Sequence, residues 1–393
     1  MDVFGELEFA LGKVKKMSNR HREFTFGDIE SIVAPFVLKR SALPILQTVN
    51  FCGNKAQATD LETFVVLEAE GLNVEACFDV RELKTLSRVP LSAKLVKLDR
   101  LTLEVENGNK QRISLFPREE FPFFGVSEEA VNEILLPIET WGVLVRTGNA
   151  SNFKDKEGSY SRPIMSGVLL HNVDGQLRVV ATDGFVLAVN SLDLLCKNFK
   201  ERRTIIPASL LNKADGAVKK LKAEMVALTF YSNRLKIEAT GDGMKISIVS
   251  NLIEGSFPDY AQIMPNRKGR KLEATINRLE FVKALKEIRT NELSRDWVEA
   301  DPITRFVFSG DEVSIEALDK RRETKGIWRI EAKIAGDDAL TVCFGVKHML
   351  QVLSAMPNGE FITLSFGEKD SSGLIVVGNS QAVVMPMSFH EGS

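Results

Sequence analysis

The residues of this sequence best suited to chemistry are three aspartates. Asp60, Asp183 and Asp319 each end an apolar segment, and carboxylates brought together can hold a divalent cation and activate its water. Their context points elsewhere. Each follows a run such as Val179-Val180-Ala181-Thr182 and opens a new segment, and an aspartate at a strand end commonly caps the following turn with its own side chain. Equivalent positions in tandem copies of one unit also lie far apart, so the three are not expected to share an ion. The four histidines, His21, His171, His348 and His390, show neither HxxxH nor HExxH spacing. Four cysteines, Cys52, Cys77, Cys196 and Cys343, form no CxxC pair and read as reduced, buried small hydrophobes. There is no GxxxxGKS/T phosphate loop and no GxSxG serine elbow. Gly241-Asp242-Gly243 reads as a strand-end turn. No catalytic residue, metal or cofactor is expected.

The aspartates lead back to the hairpins that hold them. Asp174-Gly175, set between the apolar runs 166–173 and 176–181, signals a two-residue type I′ turn, which needs φ > 0 at both positions. A similar unit runs from Leu43 through a turn at Gly53-Asn54 to Asp60, and another from Pro302 through Gly310-Asp311 to Asp319. Asp60 and Asp183 stand 123 residues apart, and Asp183 and Asp319 stand 136 apart, each near a third of the 393-residue chain. Such periodicity implies three similar domains in tandem. Helices are expected at about 27–38, 80–86, 138–146 (weakened by Gly142), 207–221, 277–289 and 346–355. Pro207 suits a first helical turn. Two helices and several mostly antiparallel strands per copy make the fold class α+β. The expected boundaries are an N-terminal extension at 1–22 and domains at 23–128, 129–264 and 265–393. The stretches 121–125 and 265–271 read as linkers.

A hydrophobic content of 44% and a charged content of 26% are those of a globular protein. The net charge of −2 does not exclude a polyanionic partner, because the distribution of charge matters more than its sum. No run reaches the roughly 18 apolar residues of a membrane span, and Met1–Glu6 lacks the basic start of a secretory leader. A cytoplasmic location without membrane contact is expected.

Several short words occur in a telling order: Leu43-Pro44-Ile45-Leu46, Ala58-Thr59-Asp60-Leu61, Val180-Ala181-Thr182-Asp183-Gly184, Phe257-Pro258-Asp259-Tyr260 and Val383-Val384-Met385-Pro386-Met387. Over about 23–389 the chain resembles the bacterial sliding clamps, the beta subunits of DNA polymerase III. The resemblance implies three clamp domains per protomer and a head-to-tail homodimeric ring around duplex DNA. It implies a processivity factor without a catalytic site of its own. The implied partners are sequence-independent duplex DNA, the DNA polymerase III catalytic subunit, an ATP-dependent clamp loader and other proteins with a clamp-binding motif. A ring holds DNA by topology, so its inner face needs diffuse positive potential and no base contacts. Candidates for that face are Arg40, Arg81, Lys84 and Arg162, then Lys213, Lys219, Lys220 and Lys222, and Lys283 and Lys286.

The resemblance also implies a hydrophobic pocket for short partner peptides. Carried over by position, it comprises Met165, Thr182, Gly184, Phe185, Val186 and Leu187. Pro258, Gln262, Ile263 and His348 join these, with Val383, Met385, Pro386 and Met387 from the last strand. Methionines suit a surface that adapts to several partners. The family usually has His-Arg at Phe185-Val186, often Arg at Gln262, and Tyr at His348, so this pocket is expected to be more apolar and less cationic. The implied dimer contact joins Ile113 and Leu115 to Ile288 of a second copy. A clamp paralogue serving as an interaction scaffold with altered partners is the alternative these departures suggest.

Overall fold

The computed structural model describes residues 23–97, 102–106, 110–122, 129–152, 163–195, 203–266, 270–290, 303–318, 324–336, 339–367 and 371–387. Within the first stretch the chain forms α1 (Phe26–Val33), β1 (Thr48–Gly53), β2 (Lys55–Thr59), β3 (Thr63–Ala69) and β4 (Val74–Asp79). It continues with α2 (Val80–Thr85), β5 (Lys94–Lys97), β6 (Thr102–Glu106) and β7 (Lys110–Ser114). The second stretch forms β8 (Asn132–Pro137), α3 (Ile138–Thr147), β9 (Gly167–Val173), β10 (Gln176–Thr182) and β11 (Val186–Leu195). After these come β12 (Arg203–Pro207), α4 (Ala208–Leu221), β13 (Met225–Phe230), β14 (Arg234–Gly241) and β15 (Met244–Asn251). A short α5 (Tyr260–Ile263) precedes β16 (Leu272–Asn277), α6 (Arg278–Thr290), β17 (Ile303–Ser309), β18 (Glu312–Leu318) and β19 (Thr324–Gly336). The last elements are β20 (Ala339–Gly345), α7 (Val346–Ala355), β21 (Phe361–Phe366), β22 (Gly373–Val377) and β23 (Ser380–Val384). One order therefore recurs: strand, helix, four strands, helix, three strands. In the first stretch the opening strand is reduced to a bridge between Thr25 and Pro90.

Local sequence accounts for where the helices begin and end. Asp79 caps α2 by accepting from the Arg81 backbone amide at 2.8 Å, and Asn277 caps α6 by accepting from those of Leu279 and Glu280. Pro35 ends α1 earlier than expected, since it has no N–H to continue the ladder, and Ala34–Phe36 form a 3-10 turn instead. Pro207 is the last residue of β12, paired with Gly167, so α4 begins one residue later than its sequence suggests. Gly142 does not interrupt α3; the Arg146 guanidinium lies over it, 3.4 Å from where a Cβ would stand. The Asp174-Gly175 turn has φ of +53° and +81°, as a type I′ hairpin requires.

The chain divides into two compact units, one up to Trp141 together with Asn212–Leu252, the other Gly142–Leu211 together with residues from Ile253 on. The first holds an eight-stranded sheet in the order β4-β1-β2-β3-β15-β14-β13-β8 and a three-stranded sheet β5-β6-β7. In its core, Phe51 stacks on Phe78 at 4.9 Å between ring centres and meets Phe26 edge-on. The second unit holds a twelve-stranded sheet, β12-β9-β10-β11-β23-β22-β21-β16-β19-β18-β17-β20. Phe281, Phe306, Phe308, Phe344 and Phe366 are buried and joined by ring contacts in its core. A buried side chain of this size contributes roughly 1.5–3 kcal/mol. Two pairings link segments far apart in sequence: β3 with β15 (Val65 opposite Ile248), and β11 with β23 (Leu187 opposite Val383).

Cys77 and Cys343 are buried, as expected, and burial pushes the Cys77 thiol up to about 11. Cys52 departs from the expectation. It follows buried Phe51 on β1, and strand alternation turns it outward into solvent. Phe121, read as linker, is instead buried against Phe64 and Cys77. Arg270, from the other presumed linker, ties down the chain by donating to the Ser365 hydroxyl and to the Ser365 and Ser372 carbonyls. Among the described residues, no helix is long and apolar enough to cross a membrane.

Candidate functional site

Asp183 organises a turn rather than a metal site. Its Oδ1 accepts from the backbone amides of Phe185 at 2.8 Å and Val186 at 2.9 Å. Thr182 Oγ1 donates to the Val186 carbonyl at 2.6 Å and accepts from the Gly184 amide at 3.1 Å. Gly184 stands at φ +97°, a conformation that L side chains rarely adopt. The remaining carboxylate oxygen, Oδ2, accepts from Gln351 Nε2 on α7 at 2.8 Å. Asp60 is used in the same way, accepting from the amides of Thr63 and Glu62 and from Lys213. Asp319 lies outside the described residues. Among the described residues no three His, Cys, Asp or Glu side chains group to hold a metal ion.

The turn presents Phe185 outward. The residue is 59% exposed, and its ring stacks on the His348 imidazole with centres 5.0 Å apart and planes 29° from parallel. Since His348 and Gln351 are one helical turn apart, a single face of α7 holds the turn twice. Beside Phe185 the last strand continues past Val384: the Met385 amide donates to the Phe185 carbonyl at 2.9 Å, and the Met387 amide donates to that of Cys343. Met385 is 45% exposed, while Pro386 and Met387 are half-buried.

Beneath these residues lies an apolar floor. Leu187 and Val383, opposite one another on β11 and β23, pack with Leu169, Val180, Phe257 and Tyr260. Tyr260 is held by its hydroxyl, 2.9 Å from His171 Nδ1. It opens α5, which Asp259 caps through the Ala261 amide. The same carboxylate receives the Gln262 side-chain amide at 3.0 Å, so Gln262 is turned back on its own helix. Ile263 is 47% exposed, and Pro258 is half-buried. Met165 is half-buried beside Ile164, which packs on the same floor. Val186 and Thr182 are buried below the turn. Near this floor Phe185, Ile263 and Met385 are exposed, the first and last joined through the Met385 amide and Ile263 on the helix that Tyr260 opens. Isolated exposed hydrophobics are ordinary, but several around one buried floor suit the binding of an apolar segment. Gln351, which fastens the turn, was missed by sequence reasoning; its signal is positional, because it is the sixth residue of its helix, as Lys213 is of α4.

The cations expected to face nucleic acid are less free than their sequence implies. Lys213 pairs with Asp60 at 3.2 Å and lies over the Phe36 ring. Lys219 pairs with Asp215 at 2.6 Å, Lys222 with Asp242 at 2.7 Å, and Lys283 lies 4.0 Å from Glu287. Arg81 bonds both carboxylate oxygens of Asp79. Burial opposes the charge on Asp79, but these bonds outweigh it and hold the carboxyl below its ordinary range. Lys220 donates to the Ser31 carbonyl. Arg40, Lys84 and Lys286 are exposed, and Arg162 lies outside the described residues. Ile113, Leu115 and Ile288 are 1%, 7% and 2% exposed. They sit in the core of the single chain: alternation along β7 turns Arg112 and Ser114 outward and Ile113 inward, and Ile288 lies on the buried face of α6.

Known proteins give this geometry a context. The family model described as DNA polymerase III beta subunit, central domain, matches residues 153–259. The beta sliding clamp of Pseudomonas putida is 26% identical over 380 residues, covering 91% of this chain and 95% of that protein. That of Escherichia coli K12 is 27% identical over 301 residues, covering 74% of this chain and 75% of the relative. Among solved structures, the beta subunit of Thermotoga maritima superposes with a TM-score of 0.75 at 20% identity, over 93% of this chain and 97% of that one. A Pseudomonas aeruginosa sliding clamp bound to griselimycin gives 0.76 at 23% identity, over 93% and 98%.

Proposed function

Because the chain belongs to the beta sliding clamp family, the beta subunits of DNA polymerase III, we propose that it is a processivity factor that encircles duplex DNA and tethers the replicative polymerase. The family does not itself catalyse. Loading onto DNA is assigned to a separate ATP-dependent loader, and the setting is the cytoplasm. We assign the Phe185, Ile263 and Met385 rim over the Leu187–Val383 floor to the peptide pocket, which takes short apolar segments of the polymerase catalytic subunit, the loader and other motif-bearing proteins. This rim is the observation that carries the reading. With Gln262 folded onto Asp259 and Phe185 stacked on His348, the pocket should select partners by apolar contact more than by charge.

Three domains, at 23–128, 129–264 and 265–393, follow from the recurring element order. So does a route to a ring. Twice within the chain, the strand that follows a hairpin pairs with the last strand of the next copy: β3 with β15 and β11 with β23. Applied once more, the rule sets the Thr324–Glu331 part of β19 against β7 of a second copy. Among the described residues, that part of β19 pairs only with β18, and β7 pairs only with β6. A contact of this head-to-tail kind closes into a dimer when the rotation allows. Light scattering over a dilution series tests it. A mass near twice 43.7 kDa is expected, and a monomer at every concentration would remove the encircling mechanism.

A further inference from the structure

Two arginines of the second unit meet no carboxylate among the described residues. Arg146 lies in the last turn of α3, and Arg278 is the first residue of α6. The end of α7 brings them together. Asn149, three residues beyond Arg146, donates its side-chain amide to the Ser354 carbonyl at 3.2 Å. Arg278 donates to the adjacent Leu353 carbonyl at 2.6 Å and to that of Pro357. Burial, and then the charge of Arg146, pull the Arg278 guanidinium below its ordinary pKa.

Their hydrogen bonding differs. Arg278 gives its donors to the last carbonyls of a helix, where a cation is favoured. Arg146 Nε is sealed from solvent without a partner, and Gly142 leaves the space in which its guanidinium lies. A partly buried guanidinium next to a like charge, with donors unused, gains strongly from an anion that accepts them. Arg81, Lys213, Lys219 and Lys222 contrast directly, since each lies against its own aspartate and adds little net potential.

We propose that Arg146, supported by Arg278, forms a binding site for a phosphate group and that, on the sliding-clamp reading above, its occupant is a backbone phosphate of the encircled duplex. A planar guanidinium presents two parallel donors to a phosphate, which a lysine cannot do. The site reads no base, as sliding requires.

The test uses the full chain as wild type, Arg146→Gln and Arg146→Lys. Arg278 is left intact, because losing its bonds to α7 would confound folding with binding. Association with duplex DNA is followed by fluorescence anisotropy over a series of salt concentrations. Arg146→Gln should weaken association several-fold and lower the log–log salt slope by about one, and Arg146→Lys should restore most of that slope. An unchanged slope in Arg146→Gln overturns the assignment to DNA. In a second arm, inorganic phosphate should raise the melting temperature of wild type more than that of Arg146→Gln, and equal shifts overturn the anion site itself. A phosphate effect without a DNA effect would make the site one for free anions, against the proposal. If wild type showed no DNA association at all, the clamp reading would fail, while the phosphate arm would still judge the site.

Discussion

The turn at Thr59–Thr63 in the first unit and the turn at Thr182–Val186 in the second use the same hydrogen bonds. Thr59 Oγ1 donates to the Thr63 carbonyl at 2.9 Å where Thr182 Oγ1 donates to that of Val186. Asp60 Oδ1 accepts from two amides, and so does Asp183 Oδ1. The second carboxylate oxygen is fastened from the sixth residue of a helix, Lys213 in one case and Gln351 in the other. What differs is everything that solvent sees. The first turn carries Leu61 at φ +74° and then Glu62, whereas the second carries Gly184 at φ +97° and then Phe185. Beside the first runs Asn251, whose amide donates to the Glu62 carbonyl at 3.4 Å; beside the second runs Met385, donating to that of Phe185. One frame therefore serves two ends. The Thr-Asp bonds hold shape, and the second residue after the aspartate, Glu62 in one turn and Phe185 in the other, sets whether that position is charged or aromatic.

The strongest way to break this comparison is to remove the shared acceptor. Asp183→Ala leaves two amides and the Gln351 side chain without their partner and should cost about 2–3 kcal/mol, read by urea unfolding. It should also weaken partner-peptide binding by roughly tenfold, since Phe185 loses its mount. Asp60→Ala should cost about as much stability and leave peptide binding unchanged; an equal loss of binding would show that the turns are not separable in function. Phe185→Glu, which copies Glu62, should lower peptide affinity by roughly tenfold with little change in stability, because an aromatic anchor is lost from an exposed rim. Unchanged affinity would move the binding surface elsewhere.

Gly184→Leu copies the first turn in backbone terms and should cost about 1–2 kcal/mol, the penalty of a left-handed L residue. The reverse change, Leu61→Gly, should gain about 0.5–1 kcal/mol after the entropy of glycine is counted. Thermal unfolding reads both, and a loss in Leu61→Gly would mean that the half-exposed leucine packs usefully. The smallest effect belongs to the clasps. Lys213→Gln should change stability by about 0.5 kcal/mol or less, a difference that shrinks as salt is added, because a partly exposed ion pair is screened whereas an amide–carboxylate bond is much less so.

The frame was legible from local signals. Turn chemistry at Asp174-Gly175, the strand-ending Asp60 and Asp183 and the helix Val346–Ala355 stand where short-range reasoning puts them. The proposed pocket residues come from the resemblance rather than from spacing: Met385 lies in one of its words, whereas Phe185 departs from the family's usual histidine. The fate of the lysines was not legible. Lys213 finds its partner 153 residues away in Asp60, a pairing with no local trace. Lys219 did carry one: Asp215 stands four residues earlier, a spacing that puts both on one helix face. The outward Cys52 also follows from alternation after Phe51, a cue outweighed by the general tendency of cysteine to be buried.

The pairing of β11 with β23 has a consequence for the chain as it is made. Val186 lies opposite Val384, about 200 residues later in the sequence. At roughly 5–20 residues per second, a ribosome takes about 10–40 s to deliver the second strand after the first. For that time Val186-Leu187-Ala188-Val189 is an apolar sheet edge with its backbone donors unclaimed, a template for any neighbouring nascent chain. The final strand therefore acts late, as the cover of an edge made early. A product cut short just before Ser380 would lose only the last few percent of its length and would be adhesive rather than merely incomplete.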